Sequence, residues 1–156
     1  MRSFSTNTIK IMLLALMLTL FSSAYVLAEE VNTKILYTLT SSHGSYEQGE
    51  LTLYNIATVL HFSELKDNPS GFTDLTQFMK TLNAYMVAQK EKKQTAALSL
   101  YNDTGATNVI IQFTDPIENN GALSMRAQVL QGTLPANIGM STLFIVLLEP
   151  HANEKE

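Results

Sequence analysis

The chain has 156 residues, 10 Lys and Arg against 14 Asp and Glu for a net charge of −4, and no cysteine. The missing cysteine excludes a disulfide, a lipid-modified N-terminal cysteine and a thiolate metal site. The only basic knot, Lys90, Lys92 and Lys93, encloses Glu91, so there is no patch for neutralising phosphates and nucleic acid is not an expected partner.

Residues 1–28 read as an export signal and not as part of the fold. Arg2 and Lys10 are basic, residues 11–21 are apolar apart from Thr19, and residues 22–28 offer small side chains with Val26 and Ala28 at signal-peptidase spacing. The apolar run is shorter than the roughly 20 residues of a membrane span. Cleavage is expected after Ala28; Ala24 is the alternative site, and an uncleaved anchor the alternative outcome. A cysteine-free exported chain points to a bacterial periplasm or medium. Without Arg2 and Lys10, 8 basic residues face 14 acidic ones, a net charge of −6. Residues 29–150 suit a single domain that needs no covalent staple, with no stable membrane insertion after cleavage. The polar tail, residues 151–156, is expected to be disordered.

The next segments alternate with period two. Ile35, Tyr37 and Leu39 share one face; Leu51 and Leu53 follow a polar turn around Gly49; Leu60 and Phe62 come next, which turns His61 away from the core. Such alternation marks strands with one face on a core and the other in water. The stretch FSELKDNPSGFTDLTQFMKTL, residues 62–82, then breaks the pattern. Asn68-Pro69-Ser70-Gly71 is expected to end a strand and hand over to a helix. Leu75, Phe78, Met79, Leu82 and Met86 recur at helical spacing, so an amphipathic helix is expected over about 74–90. Thr73 or Asp74 can cap it, with Gln77 three residues beyond Asp74.

Alternation resumes at Ala96-Leu98-Leu100, Val109-Ile111-Phe113 and Leu123-Met125-Ala127-Val129. Asn102-Asp103-Thr104-Gly105 and Asn119-Asn120-Gly121 supply residues that tolerate positive φ in tight hairpins. Asp115-Pro116 reads as a strand terminator. Residues 142–148 are apolar on both faces, which places them in a sheet interior or under a helix. The expected fold is mainly β: an immunoglobulin-like sandwich of about seven strands with one inserted helix between the third and fourth.

The order of these pieces resembles a family of uncharacterised exported bacterial proteins. In that family a strand runs into Tyr-Phe-Ser-Asp-Arg-Pro-x-Arg, followed by a Gly and a helix with a Phe. A Pro-Asn-Ala-x-Leu-Ser strand, a strand ending in Asp-Pro, a Leu-x-Gly-x-x-Pro stretch and a final Ser-Leu-Phe-Ile-Asp come after. The corresponding stretches here are LTLYNIATVLHFSEL (51–65), GFTDLTQFMKTL (71–82), TAALSLYN (95–102), VIIQFTDP (109–116), VLQGTLP (129–135) and STLFIV (141–146). Both signature arginines are missing, since the chain has Glu64-Leu65-Lys66-Asp67-Asn68 there. Gln94-Thr95-Ala96 replaces Pro-Asn-Ala, and Val146 the final Asp. The resemblance implies an exported β-rich fold with one helix and implies no known reaction.

Chemistry is sparse. His43, His61 and His151 are the only histidines and no two have ligand spacing, so neither a metal nor another cofactor is expected. No Gly-x-Ser-x-Gly elbow occurs. The carboxylate pairs Glu64/Asp67 and Asp115/Glu118 lie at turns, where acids commonly serve local hydrogen bonds. Met79, Met86 and Met125 are expected to fill core. The expectation is a non-catalytic exported binding or accessory module with an unknown protein partner, acting through the loop that holds Glu64, Lys66, Asp67 and Asn68. The alternatives are a carboxylate-dependent hydrolase of envelope polymers and a protein inhibitor of a hydrolase.

Overall fold

The computed structural model describes residues 33–63, 69–90 and 92–149. The expected signal, the loop residues 64–68 and the expected disordered tail lie outside the described residues. The strands are β1 (Thr33–Ser41), β2 (His43–Glu47), β3 (Glu50–Tyr54), β4 (Val59–Phe62) and β5 (Gly71–Thr73). After the helix α1 (Leu75–Ala88) come β6 (Gln94–Asn102), β7 (Gly105–Asn119), β8 (Ala122–Gln131), β9 (Asn137–Ile138) and β10 (Ser141–Glu149).

These ten strands amount to seven extended segments. In one antiparallel ladder Leu39 faces Leu143, Ser41 faces Ser141, and in the same register Gly44 faces Ile138. The runs β1–β2 and β9–β10 are therefore two long bent strands paired along their length. β3 and β4 pair in turn with β2 and β1, His43 against Tyr54 and Leu39 against Val59, with a one-residue shift across residues 55–58. The helix falls between residues 59–62 and 94–102, as the sequence predicts, but with the short β5 intervening before it.

The strand order is β5-β4-β1-β10-β6-β7-β8-β3-β2-β9. Because β9 runs on into β10, the sheet turns back on itself and encloses one core, with two facing walls as in a sandwich. β7 serves both walls: Gly105 to Phe113 pair with β6, and Ile110 to Asn119 with β8. Alternate residues supply the core, among them Ile35, Leu39, Leu51, Leu53, Leu98, Ile111, Phe113, Leu123, Met125, Leu143 and Ile145, all buried.

The turn chemistry follows the sequence. Gln48 (φ 51) and Gly49 (φ 83) link β2 to β3, and Asn120 (φ 49) and Gly121 (φ 76) link β7 to β8. Two successive positive φ values match the right-handed twist of a two-residue hairpin. At Gly44 an added Cβ would lie 2.6 Å from the Thr52 carbonyl oxygen, so only glycine admits this close backbone approach.

α1 starts at Asp74, whose Oδ1 accepts from the Gln77 amide at 2.7 Å. Its stripe Leu75, Phe78, Met79 and Leu82 is buried, and the Phe78 ring centroid is 5.1 Å from that of Tyr37. The helix thus packs on the inward face near β1, where β4 pairs with β5, whereas β3, its chain neighbour, pairs with β8. Met79 and Met125 are buried in the core.

Two strand readings need correction. Asp115-Pro116 does not end its strand: β7 continues to Asn119 through a bulge, with Asp115 at φ 51. A bulge relieves the ladder of the amide that proline lacks, so the strand can pass. Gly71 does not hand the chain straight to the helix but opens β5.

Phe113 is fully buried whereas Leu60 is 45% exposed. Phe113→Ala should cost about 3–5 kcal/mol in denaturant unfolding. Leu60→Ala should cost less than about 1 kcal/mol.

Candidate functional site

The charged elbow of the sequence belongs to a hairpin. β4 and β5 pair as Val59 with Thr73, Leu60 with Phe72 and His61 with Gly71. Ser70 closes the base: its Oγ accepts from the Ser63 amide at 2.8 Å and donates to the Ser63 carbonyl at 3.0 Å. Glu64, Lys66, Asp67 and Asn68 connect these closed positions but lie outside the described residues.

His61 lies opposite Tyr37 in the β1–β4 ladder, with ring centroids 5.9 Å apart. Residues directly opposite in an antiparallel pair share a face. His61 therefore points inward with Tyr37 and Val59, while Leu60 and Phe62 point out, 45% and 50% exposed. This reverses the sequence reading of Leu60 and Phe62 as core and His61 as outward. Val59-Leu60-His61-Phe62 carries an apolar residue on each face, so period two alone leaves the phase open. Pairing with the buried Leu39 selects Val59. The His61 Nε2 lies 2.9 Å from the Pro69 carbonyl, and its Nδ1 is buried without a hydrogen-bond partner.

The outward residues of β4 begin a longer feature. Across six strands the register places Phe72, Leu60, Thr38, Phe144, Ala97 and Ile110 in one row. An adjacent row holds Phe62, Leu36 and Val146. Phe72 is 77% and Val146 42% exposed. No member of either row is charged. On one side the strip stops at a hydroxyl-rich row whose members bond one another: Thr40 Oγ1 to Thr142 Oγ1 at 3.1 Å and Ser99 Oγ to Asn108 Oδ1 at 2.6 Å.

This is also where the reading of residues 142–148 divides. β10 lies in the sheet interior between β1 and β6, and Leu143, Ile145 and Leu147 are buried. Its opposite face is uncovered at Val146. Hydropathy carries no signal for that exposure, because an apolar residue on both faces of a strand ordinarily reads as double burial.

The remaining candidates have structural employment. Glu118 accepts from the Gly121 amide at 3.3 Å and from Thr76 Oγ1 at 3.5 Å, tying the helix start to the β7–β8 turn. Asp115 is exposed in the bulge and accepts from Thr114 Oγ1 at 2.9 Å. His43 stacks on Tyr54 at 4.9 Å and lies 2.9 Å from the Ser42 hydroxyl. That pair is exposed and adjacent in sequence, and no carboxylate hydrogen-bonds the ring among the described residues. No cluster of three or more His, Cys, Asp or Glu capable of holding a metal occurs among the described residues. None of their helices is long and apolar enough to cross a membrane.

Ser70→Ala removes both bonds at the hairpin base. Amide hydrogen exchange at Ser63 and along β4–β5 should accelerate, while global stability falls by only about 1 kcal/mol. Comparison with family models, with curated proteins and with solved structures finds no match to this chain.

Proposed function

We propose that the chain is an exported, non-catalytic binding module of the bacterial envelope, which engages a protein partner through the apolar strip and the β4–β5 hairpin. The observation that carries this reading is the strip itself: two adjoining uncharged rows from Phe72 to Ile110 and from Phe62 to Val146, with no described element covering Phe72, Phe62, Leu60 or Val146. Contiguous apolar patches of more than a few hundred Å² on a folded surface mark interaction sites. Covering a large apolar side chain stabilises a complex by about 1.5–3 kcal/mol, so a few such residues suffice for a specific contact. The two rows hold no basic residue, and the exposed Lys34 beside Leu36 on β1 is a single charge worth only about 1 kcal/mol at an anionic lipid surface, which favours a protein. The leader-like N-terminus supports export, and the resemblance to exported β-rich proteins points the same way.

A second reading, a hydrolase inhibitor that inserts the hairpin tip into a cleft, is favoured by the Ser63–Ser70 closure. A hairpin whose base is already closed loses less entropy there on binding. The hydrolase reading gains no such support, because Glu118 is tied to the helix start and Asp115 to its own strand.

Photoreactive residues placed singly at Leu60, Phe72 and Lys66, and at Thr52 on the opposite wall, separate these readings in cells that export the chain. The module reading expects a discrete protein adduct from positions 60 and 72 and none from 52. An adduct from position 66 alone would favour the inhibitor, and no adduct from any position would contradict both.

A further inference from the structure

The second wall has a different outer surface. Between β2, β3, β7 and β8 lies an open trough of about 680 Å³. Glu47, Glu50, Gln112, Arg126, Gln128 and Lys93 line it, with hydroxyls between them and no aromatic residue. Glu50 and Arg126 are register partners across β3 and β8, yet no ion pair joins them. None of these six side chains hydrogen-bonds another protein group among the described residues, whereas the hydroxyls between them are partly engaged, Thr52 Oγ1 with Ser124 Oγ at 3.0 Å and Thr114 Oγ1 with Asp115 at 2.9 Å.

We propose that this trough binds an uncharged, hydroxyl-rich ligand, a carbohydrate chain. Two carboxylates balance Arg126 and Lys93, so the trough selects neither anions nor cations by net charge. The lining instead alternates acceptors, donors and groups that are both. Carboxylates accept, guanidinium and ammonium donate, and carboxamides do either. A sugar hydroxyl also donates and accepts, so adjacent ring hydroxyls can satisfy a carboxylate and a guanidinium together. An extended peptide is disfavoured because β2, β3, β7 and β8 are each paired on both sides. No backbone edge remains there for strand addition. The volume falls within the usual range of ligand sites, about 300–1,000 Å³. Without an aromatic platform for the sugar ring, affinity rests on hydrogen bonds exposed to water and is modest, on the order of 1 mM.

The test is a titration of the isotope-labelled exported chain with maltotriose, cellotriose and chitotriose, followed through backbone amide shifts. At least one trisaccharide should give saturable shifts confined to β2–β3 and β7–β8. Arg126→Ala and Glu50→Gln, both at exposed positions, should each weaken that binding by about tenfold with the unfolding transition unchanged. No saturable shift with any trisaccharide up to about 20 mM, well above the expected dissociation constant, would overturn the proposal. So would shifts mapping to β4–β5, or inorganic phosphate binding at Arg126 and Lys93 in place of sugar. The result does not depend on the protein-docking reading, since crosslinking at Phe72 reports on the opposite wall.

Discussion

The fold depends on one ladder. β1–β2 and β9–β10 keep a single antiparallel register from Thr33 against Glu149 to Ser45 against Asn137. Its consequence is closure, because β9 pairs at one end of the strand order while its continuation β10 pairs in the middle. A sheet that returns to itself leaves fewer unpaired backbone groups than an open one and is less exposed to edge-to-edge association. It also fixes which side of every strand faces inward. Once Leu39 and Leu143 point to the core, Leu60, Phe62, Phe144 and Val146 are committed outward by pairing, whatever their hydropathy.

That constraint accounts for the two unlike outer surfaces. On the first wall the outward set is apolar and its polar border is internally bonded through Thr40, Thr142, Ser99 and Asn108. On the second wall the outward set mixes charged, amide and hydroxyl groups; Thr52 and Ser124 bond each other at 3.0 Å, while Glu47, Glu50, Arg126 and Gln128 bond no other side chain among the described residues. The helix does not cover the strip. Its stripe packs on the inward side, with Phe78 against Tyr37, at the end of the core where β4 pairs with β5 instead of β8. The domain thus presents a largely apolar surface on one wall and a polar, charge-bearing trough on the other.

Much of the fold was legible because local signals agreed. Gln48-Gly49 and Asn120-Gly121 have the positive φ values their turns require, and the Asp74 cap and the i, i+3, i+4 stripe place α1 within a residue or two. The phase of β4 was not legible, since Val59 and His61 compete with Leu60 and Phe62 and only the partner strand decides. Nor was the passage of β7 beyond Pro116, because a bulge depends on the neighbouring strand as much as on the residue. The apolar strip escaped for a related reason: hydropathy measures what a side chain prefers, whereas register determines where it points. The hairpin strands that carry Phe62 and Phe72 border the strip, whereas the expected loop of Glu64, Lys66, Asp67 and Asn68 lies outside the described residues.

The most direct measurement is a set of proton–proton nuclear Overhauser contacts across the closing ladder in the folded chain. The account predicts contacts linking Leu39 to Leu143 and, in the same molecule and register, Gly44 to Ile138. Contacts at the first pair with none at the second would show an open sheet whose second wall is held independently, and would contradict it.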